Sequence, residues 1–202
     1  MDLAKSRSMV LVLALTAALV LAVVLAQQKR ALLDRNENLT TRIRYPYPGL
    51  YVPAVTLPSV SGDSVLLGQA PPGQVQLLFV FSTTCEFCKA SLPAWKQIAA
   101  ELAANERVEV VGISIDSVEP TRRYLAEHGI ELPVVSFIEP RLLAMYRAGT
   151  TPQTLIIDAD GRVGYSHLGA VTELLVIDSI INAATTVAAR VLAGRPNAGA
   201  AR

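Results

Sequence analysis

The apolar residues of this chain fall into runs of three kinds. Residues 9–26 (MVLVLALTAALVLAVVLA) carry no charge and one hydroxyl, Thr16, so they lack the polar face of a soluble-domain helix. At about 1.5 Å per residue they span roughly 27 Å, close to the ~30 Å of a bilayer's hydrocarbon core, and a transmembrane helix is predicted. Residues 75–81 (VQLLFVF) and 108–115 (VEVVGISI) are shorter apolar runs rich in branched and aromatic side chains, the pattern of strands buried on both faces. Residues 93–104, 120–128 and 172–192 have helical spacing, the last with Thr172 as its cap. Residues 155–158 open another strand, and Asp158-Ala159-Asp160-Gly161 behind it is a hairpin signal. The order β, α, β, α, β, β, α predicts an α/β domain with a central mixed β-sheet flanked by helices.

The chain thus divides into an amino-terminal tail (1–8), a membrane anchor (9–26), a polar linker (27–50), a folded domain (51–192) and a Gly/Ala/Pro-rich tail (193–202) expected to lack regular structure. The linker contains Tyr45-Pro46-Tyr47-Pro48-Gly49, with helical continuation allowed as far as Leu39. A cleaved signal sequence is the alternative to a retained anchor, with Val24 and Ala26 as the small residues before the cut. Its apolar region usually runs to only about 7–15 residues, which favours the anchor. Lys5 and Arg7 precede the run, whereas Lys29, Arg30, Arg35, Arg42 and Arg44 follow it. A count of basic residues alone would put the domain in the cytoplasm; a short basic tail before an apolar run is the layout of secretory signals and signal anchors.

Charge narrows the functional classes. Beyond residue 26 the chain has 16 basic and 16 acidic side chains, a neutral body that excludes bulk electrostatic binding of nucleic acid. Two cysteines and two histidines in unrelated settings, His128 and His167, do not complete a structural zinc site, and no metal or other cofactor is implied.

The chemistry lies just after the first strand, in Ser82-Thr83-Thr84-Cys85-Glu86-Phe87-Cys88-Lys89. A Cys-x-x-Cys at a strand-to-helix junction puts both sulfurs in the first helical turn, within disulfide reach. Cys85 then meets the unpaired N–H groups and positive dipole end that favour a thiolate. Cys85 is the expected nucleophile and Cys88 the buried resolving thiol; half a zinc site and an inert structural disulfide are the competing readings of the motif alone. Glu86 and Lys89 flank the pair with opposite, nearly cancelling charges.

With these residues the chain resembles the thioredoxin-like fold, and within it the membrane-anchored TlpA/ResA (redoxin) type of thiol-disulfide oxidoreductase, over roughly residues 51–192. Pro93, five residues after Cys88, matches the kinking proline of the family's active-site helix. Thr151-Pro152 matches its cis-proline loop, which faces the disulfide and docks substrate peptide, and residues 116–135 match its inserted helix. Proline suits such a turn because a cis X-Pro bond costs only about 0.5–1 kcal/mol; a trans proline opening the strand is the alternative. The resemblance implies a domain facing the periplasm or extracytoplasmic side, protein disulfide or dithiol clients, and an upstream membrane electron donor. It implies roles such as cytochrome maturation or cofactor-enzyme assembly.

The chain also departs from the pattern. Thr84 stands where many relatives have Trp, Phe79 where they have a buried Asp or Asn, and Phe87 where some ResA-type motifs have Pro. A redoxin-type thiol peroxidase, with Cys85 peroxidatic and Cys88 resolving, is the alternative function. Peroxiredoxins carry Pro and Thr seven and three residues before the cysteine, and this chain has Leu78 and Ser82. His128, His167, Trp95 and Asp116 are read as structural, Asp116 as a cap on the turn after its strand, and Arg122-Arg123 as a solvated helix face.

Overall fold

In the computed structural model, which describes residues 2–193, the apolar runs at 75–81 and 108–115 form adjacent strands. β1 (Val55–Pro58) and β2 (Ser64–Leu67) form an antiparallel pair. β3 (Val75–Phe81), β4 (Val108–Ser114), β5 (Val134–Ser136), β6 (Gln153–Ile157) and β7 (Val163–Leu168) form a sheet of order β5-β4-β3-β6-β7. β3 is parallel to β4 and antiparallel to β6, and β4 is parallel to β5. The predicted mixed sheet flanked by helices is therefore what forms.

All seven residues of β3 are buried, and the two-residue period of a strand sorts them between two layers. Val75, Leu77, Phe79 and Phe81 pack with α2 (Glu86–Leu102) and α5 (Leu174–Ala193) through Leu92, Trp95, Ile98, Ile177, Ile180 and Ala184. Leu78 and Val80 face the other way, onto Val52, Leu67, Phe137 and Tyr146. That second layer includes α4 (Pro140–Tyr146), while α3 (Val118–His128) closes the first layer through Tyr124. Tyr146 is fully buried and its hydroxyl donates to the Pro53 carbonyl (2.7 Å).

Several boundaries differ from expectation. The helical spacing at 93–104 is only the later part of α2, which begins at Glu86 within the Cys-x-x-Cys, as that motif's placement in a first turn predicts, and contains Pro93. α5 begins at Leu174, and Glu173, not Thr172, is its cap, since the Glu173 carbonyl takes the N–H groups of Val176 and Ile177. β1, β2, β5 and α4 are additional elements.

The amino-terminal unit is one helix, α1 (Asp2–Arg44), of 43 residues and so about 65 Å long. It is long and apolar enough to cross a membrane by length and composition. It includes residues 2–8 of the tail expected at 1–8 and most of the linker expected at 27–50. The reason is compositional: residues 27–44 hold no Gly or Pro and many strong helix formers. Helix ends at Arg44 because Pro46 disfavours helical geometry at Tyr45.

The remaining linker residues are a docked strap. The Gly49 N–H donates to the Val163 carbonyl (2.7 Å) and the Val163 N–H to the Leu50 carbonyl (2.8 Å), along the open edge of β7. Ser166 Oγ donates to the Pro46 carbonyl (3.0 Å), Arg147 Nη1 to the Tyr45 carbonyl (3.4 Å), and the Arg147 guanidinium lies 5.0 Å from the Tyr47 ring centre. The domain thus begins at Tyr45. The tail expected at 193–202 lies, beyond Ala193, outside the described residues.

Candidate functional site

Three features of the sheet meet at one end. In parallel β3 and β4, Phe81 pairs with Ser114, so the segments leaving both strands run side by side from the same edge. In antiparallel β3 and β6, Val80 pairs with Gln153, which brings Pro152 to that edge as well. The Gly169 N–H donates to the Pro152 carbonyl (3.0 Å) and the Val171 N–H to Ser91 Oγ (3.0 Å), tying the β7–α5 turn to both the proline loop and α2.

Cys85 is the cap residue of α2, with extended backbone (φ −87°, ψ 110°), and its Sγ accepts the Cys88 N–H at 3.1 Å. Its carbonyl accepts the N–H groups of Cys88 and Lys89, both at 3.1 Å. Cys85 and Cys88 are joined in a disulfide with Cα atoms 5.2 Å apart. Cys85 is half-buried and Cys88 fully buried. This asymmetry follows from the helix: Cys88 turns inward beside Leu92 and Trp95, whereas the cap position stays at the rim. Thr84, Glu86 and Lys89 are exposed, and Phe87, an apolar ring inside the motif, is 68% exposed.

The peptide bond between Thr151 and Pro152 is cis, as the sequence reading expected. Pro152 is buried and Thr151 half-buried, and among the described residues the Thr151 N–H and carbonyl take no backbone partner.

Phe79 is buried and stacked on Trp95 with ring centres 5.0 Å apart. Trp95 is therefore part of the core, as read. Phe81 stacks on Tyr124, which stacks on His128. Burial raises the Tyr124 hydroxyl above its usual range, with Glu127 and then Glu86 adding to the effect.

Asp116 does more than cap a turn. One carboxylate oxygen, Oδ2, accepts the Thr83 N–H (2.6 Å) and the Ser82 hydroxyl (3.0 Å) of the segment leading into Cys85. Asp116 is itself fixed by its N–H to Ser114 Oγ (3.2 Å) and by Ser136 Oγ on its carbonyl (2.5 Å). The hydroxyls of Ser82 and Thr84 lie 3.2 Å apart, and the Thr84 N–H reaches Ser82 Oγ at 3.4 Å. Sequence reasoning missed this network; the available signal was that Ser82 and Asp116 are the first polar residues after two runs read as central strands.

The AhpC/TSA family model matches residues 48–166, more than half of the sequence. The chain belongs to the AhpC/TSA family. It is 29% identical over 121 residues to the methylamine utilization protein MauD of Methylophilus methylotrophus, covering 58% of this chain and 54% of that protein. It is 28% identical over 101 residues to the thiol-disulfide oxidoreductase ResA of Oceanobacillus iheyensis, covering 50% and 52%. The matched stretch is thus about half the length of these two relatives. Among solved structures, a thiol:disulfide interchange protein DsbE from Chlorobium tepidum superposes with a TM-score of 0.59 at 22% identity, covering 71% of this chain and 99% of that one. The thioredoxin-like fold and the resemblance to ResA-type proteins drawn from the motifs are both borne out.

Proposed function

We propose that this protein is a thiol-disulfide oxidoreductase that reduces specific protein disulfides outside the cytoplasm, carried on the membrane by α1. The observation that supports this reading most directly is the Cys85–Cys88 disulfide at the head of α2, with one sulfur at the rim and the other buried. Reduced Cys85, its thiolate favoured by the helix amino terminus, attacks one sulfur of a client disulfide. A Cys85–client bond forms and the other client sulfur leaves as a thiolate. The Cys88 thiolate then attacks Cys85, releasing the client as a dithiol and forming the Cys85–Cys88 disulfide, with two electrons passed to the client. Thr151 and Pro152 line the docking position, where the unpaired Thr151 backbone suits an extended client strand. Thr84, Glu86, Phe87 and Lys89 form the rim that the client meets.

Restoring the dithiol requires a donor of two electrons, which for an anchored domain is an upstream membrane protein. Clients in cytochrome maturation or cofactor-enzyme assembly fit this role.

The peroxidase reading has less support. Leu78 is an apolar core residue, and the Ser82 hydroxyl is engaged by Asp116. The deciding experiment offers the fully reduced full-length protein a protein disulfide or hydrogen peroxide and follows oxidation of the dithiol. Rapid exchange with the protein disulfide and slow reaction with peroxide are expected; the reverse order would overturn the proposal.

A further inference from the structure

The Asp116–Ser82–Thr84 chain has a fixed direction. A carboxylate only accepts hydrogen bonds, whereas a hydroxyl has one hydrogen to give. Oδ2 of Asp116 already accepts the Thr83 N–H, and the Ser82 hydroxyl within 3.0 Å of it has to donate. That commits the only Ser82 hydrogen. In the 3.2 Å contact between the two hydroxyls, Thr84 is then the donor and Ser82 the acceptor. Ser82 is buried and accepts the Thr84 N–H as well, so its lone pairs face Thr84. Thr84 is exposed and directly precedes Cys85. With its hydrogen turned inward, its oxygen presents only lone pairs to the outside.

We propose that Thr84 is a specificity-determining residue that accepts a hydrogen bond from an N–H of the client polypeptide beside the target cysteine, and that Asp116 is the positioning residue that sets this polarity through Ser82. The inference rests on the thiol-disulfide exchange reading and adds to it the kind of client group the site recognises. Asp116 is suited to the task because it is held at its N–H by Ser114 and at its carbonyl by Ser136, the last residues of β4 and β5. The 82–84 segment is thereby referenced to two neighbouring strands rather than to its own loop. Sequence chemistry agrees: a hydroxyl at position 84 can be oriented in this way, whereas the Trp that the resemblance leads one to expect there has only a donor.

The test compares two electrophiles on the reduced full-length protein. One is a disulfide-cyclised peptide, which brings backbone N–H groups to the site; the other is methyl methanethiosulfonate, which has no N–H or O–H. The readout is the ratio of the two second-order rate constants, so a general change in thiolate reactivity cancels. Thr84→Val, at an exposed position and of similar shape, is expected to lower the ratio roughly three- to tenfold, the size of one hydrogen bond made on docking. Thr84→Ser is expected to restore it. Asp116→Ala, which removes the acceptor that orients Ser82, should lower the ratio as well. Asp116→Asn keeps a carbonyl oxygen at the Oδ2 position and should bring it back, whereas a role confined to stability would leave the ratio unchanged in all four. A wild-type protein inert to the peptide disulfide would overturn the exchange reading and this one with it. A reactive wild type matched by Thr84→Val would overturn this inference alone.

Discussion

The two buried tyrosines of the domain differ in one respect that decides how each responds to substitution. Tyr146 donates its hydroxyl to the Pro53 carbonyl (2.7 Å), whereas the buried Tyr124 hydroxyl has no hydrogen-bond partner among the described residues. Burial raises both groups above the ordinary tyrosine value of 10.0, with Tyr51 adding to the effect at Tyr146 and Glu127 and Glu86 at Tyr124. A phenol that stays protonated longer in the folded chain than in the unfolded one contributes stability that is fully present below pH 10. That contribution is lost as pH rises from the unfolded value through the folded one. Urea unfolding of the oxidised protein should therefore give a stability that these tyrosines leave flat below pH 10. Above it each tyrosine adds a slope of at most about 1.4 kcal/mol per pH unit. Tyr124→Phe should be nearly neutral at pH 7 and Tyr146→Phe should cost about 1–2 kcal/mol, because only the latter removes a hydrogen bond, the one to the half-buried Pro53. Either substitution should flatten the alkaline slope; an unchanged slope in both would show that other groups govern it.

The junction of β2 with the main sheet depends on a single glycine. Gly68 follows β2 with φ +77°, donates its N–H to Gln76 Oε1 on β3 (2.9 Å), and has no room for a Cβ, which would overlap the Pro53 carbonyl and the Tyr146 hydroxyl. Gly68→Ala should destabilise the protein by about 2–4 kcal/mol, from left-handed strain and from overlap with backbone that cannot yield. The shift in urea midpoint measures it, and a change below about 1 kcal/mol would mean that the β1–β2 pair moves freely. Elements of this kind were the least legible in the sequence. β3 and β4 announce themselves because burial on both faces demands an unbroken apolar run. β5 is three residues long and is a strand only because β4, from which an entire helix separates it, pairs with it, and β1 is four residues long and ends in Pro58, too short and too broken for an alternating pattern to show. α4 has seven residues, too few for a periodic pattern to emerge. At the candidate site the cysteines and Thr151-Pro152 were legible, since a local motif and a proline carry their own geometry. The Asp116 contacts were not, because they join residues 33 and 34 positions apart through the sheet register.

At the scale of the whole molecule, the proposed function requires the domain to lie outside the cytoplasm. Protein disulfides that persist as clients belong to an oxidising compartment, while the basic residues on α1 point both ways. Alkaline phosphatase fused after Arg202 should be active and a cytoplasmic reporter at the same position silent; the opposite pair of results would place the disulfide in the cytoplasm. The strap at 45–50 has a further consequence, for how the domain can be freed from its helix. Arg44 is exposed at the end of α1, and the next lysine or arginine is Lys89, inside α2. Mild trypsin therefore has a cutting point at the helix end and none in the strap, and mass spectrometry should find a resistant fragment that starts at Tyr45. That fragment keeps its hem: the N–H and carbonyl of Val163 stay covered. A fragment begun at Tyr51 leaves them bare on an edge strand, a template for sticking to other chains, and should come out of solution where the longer one does not.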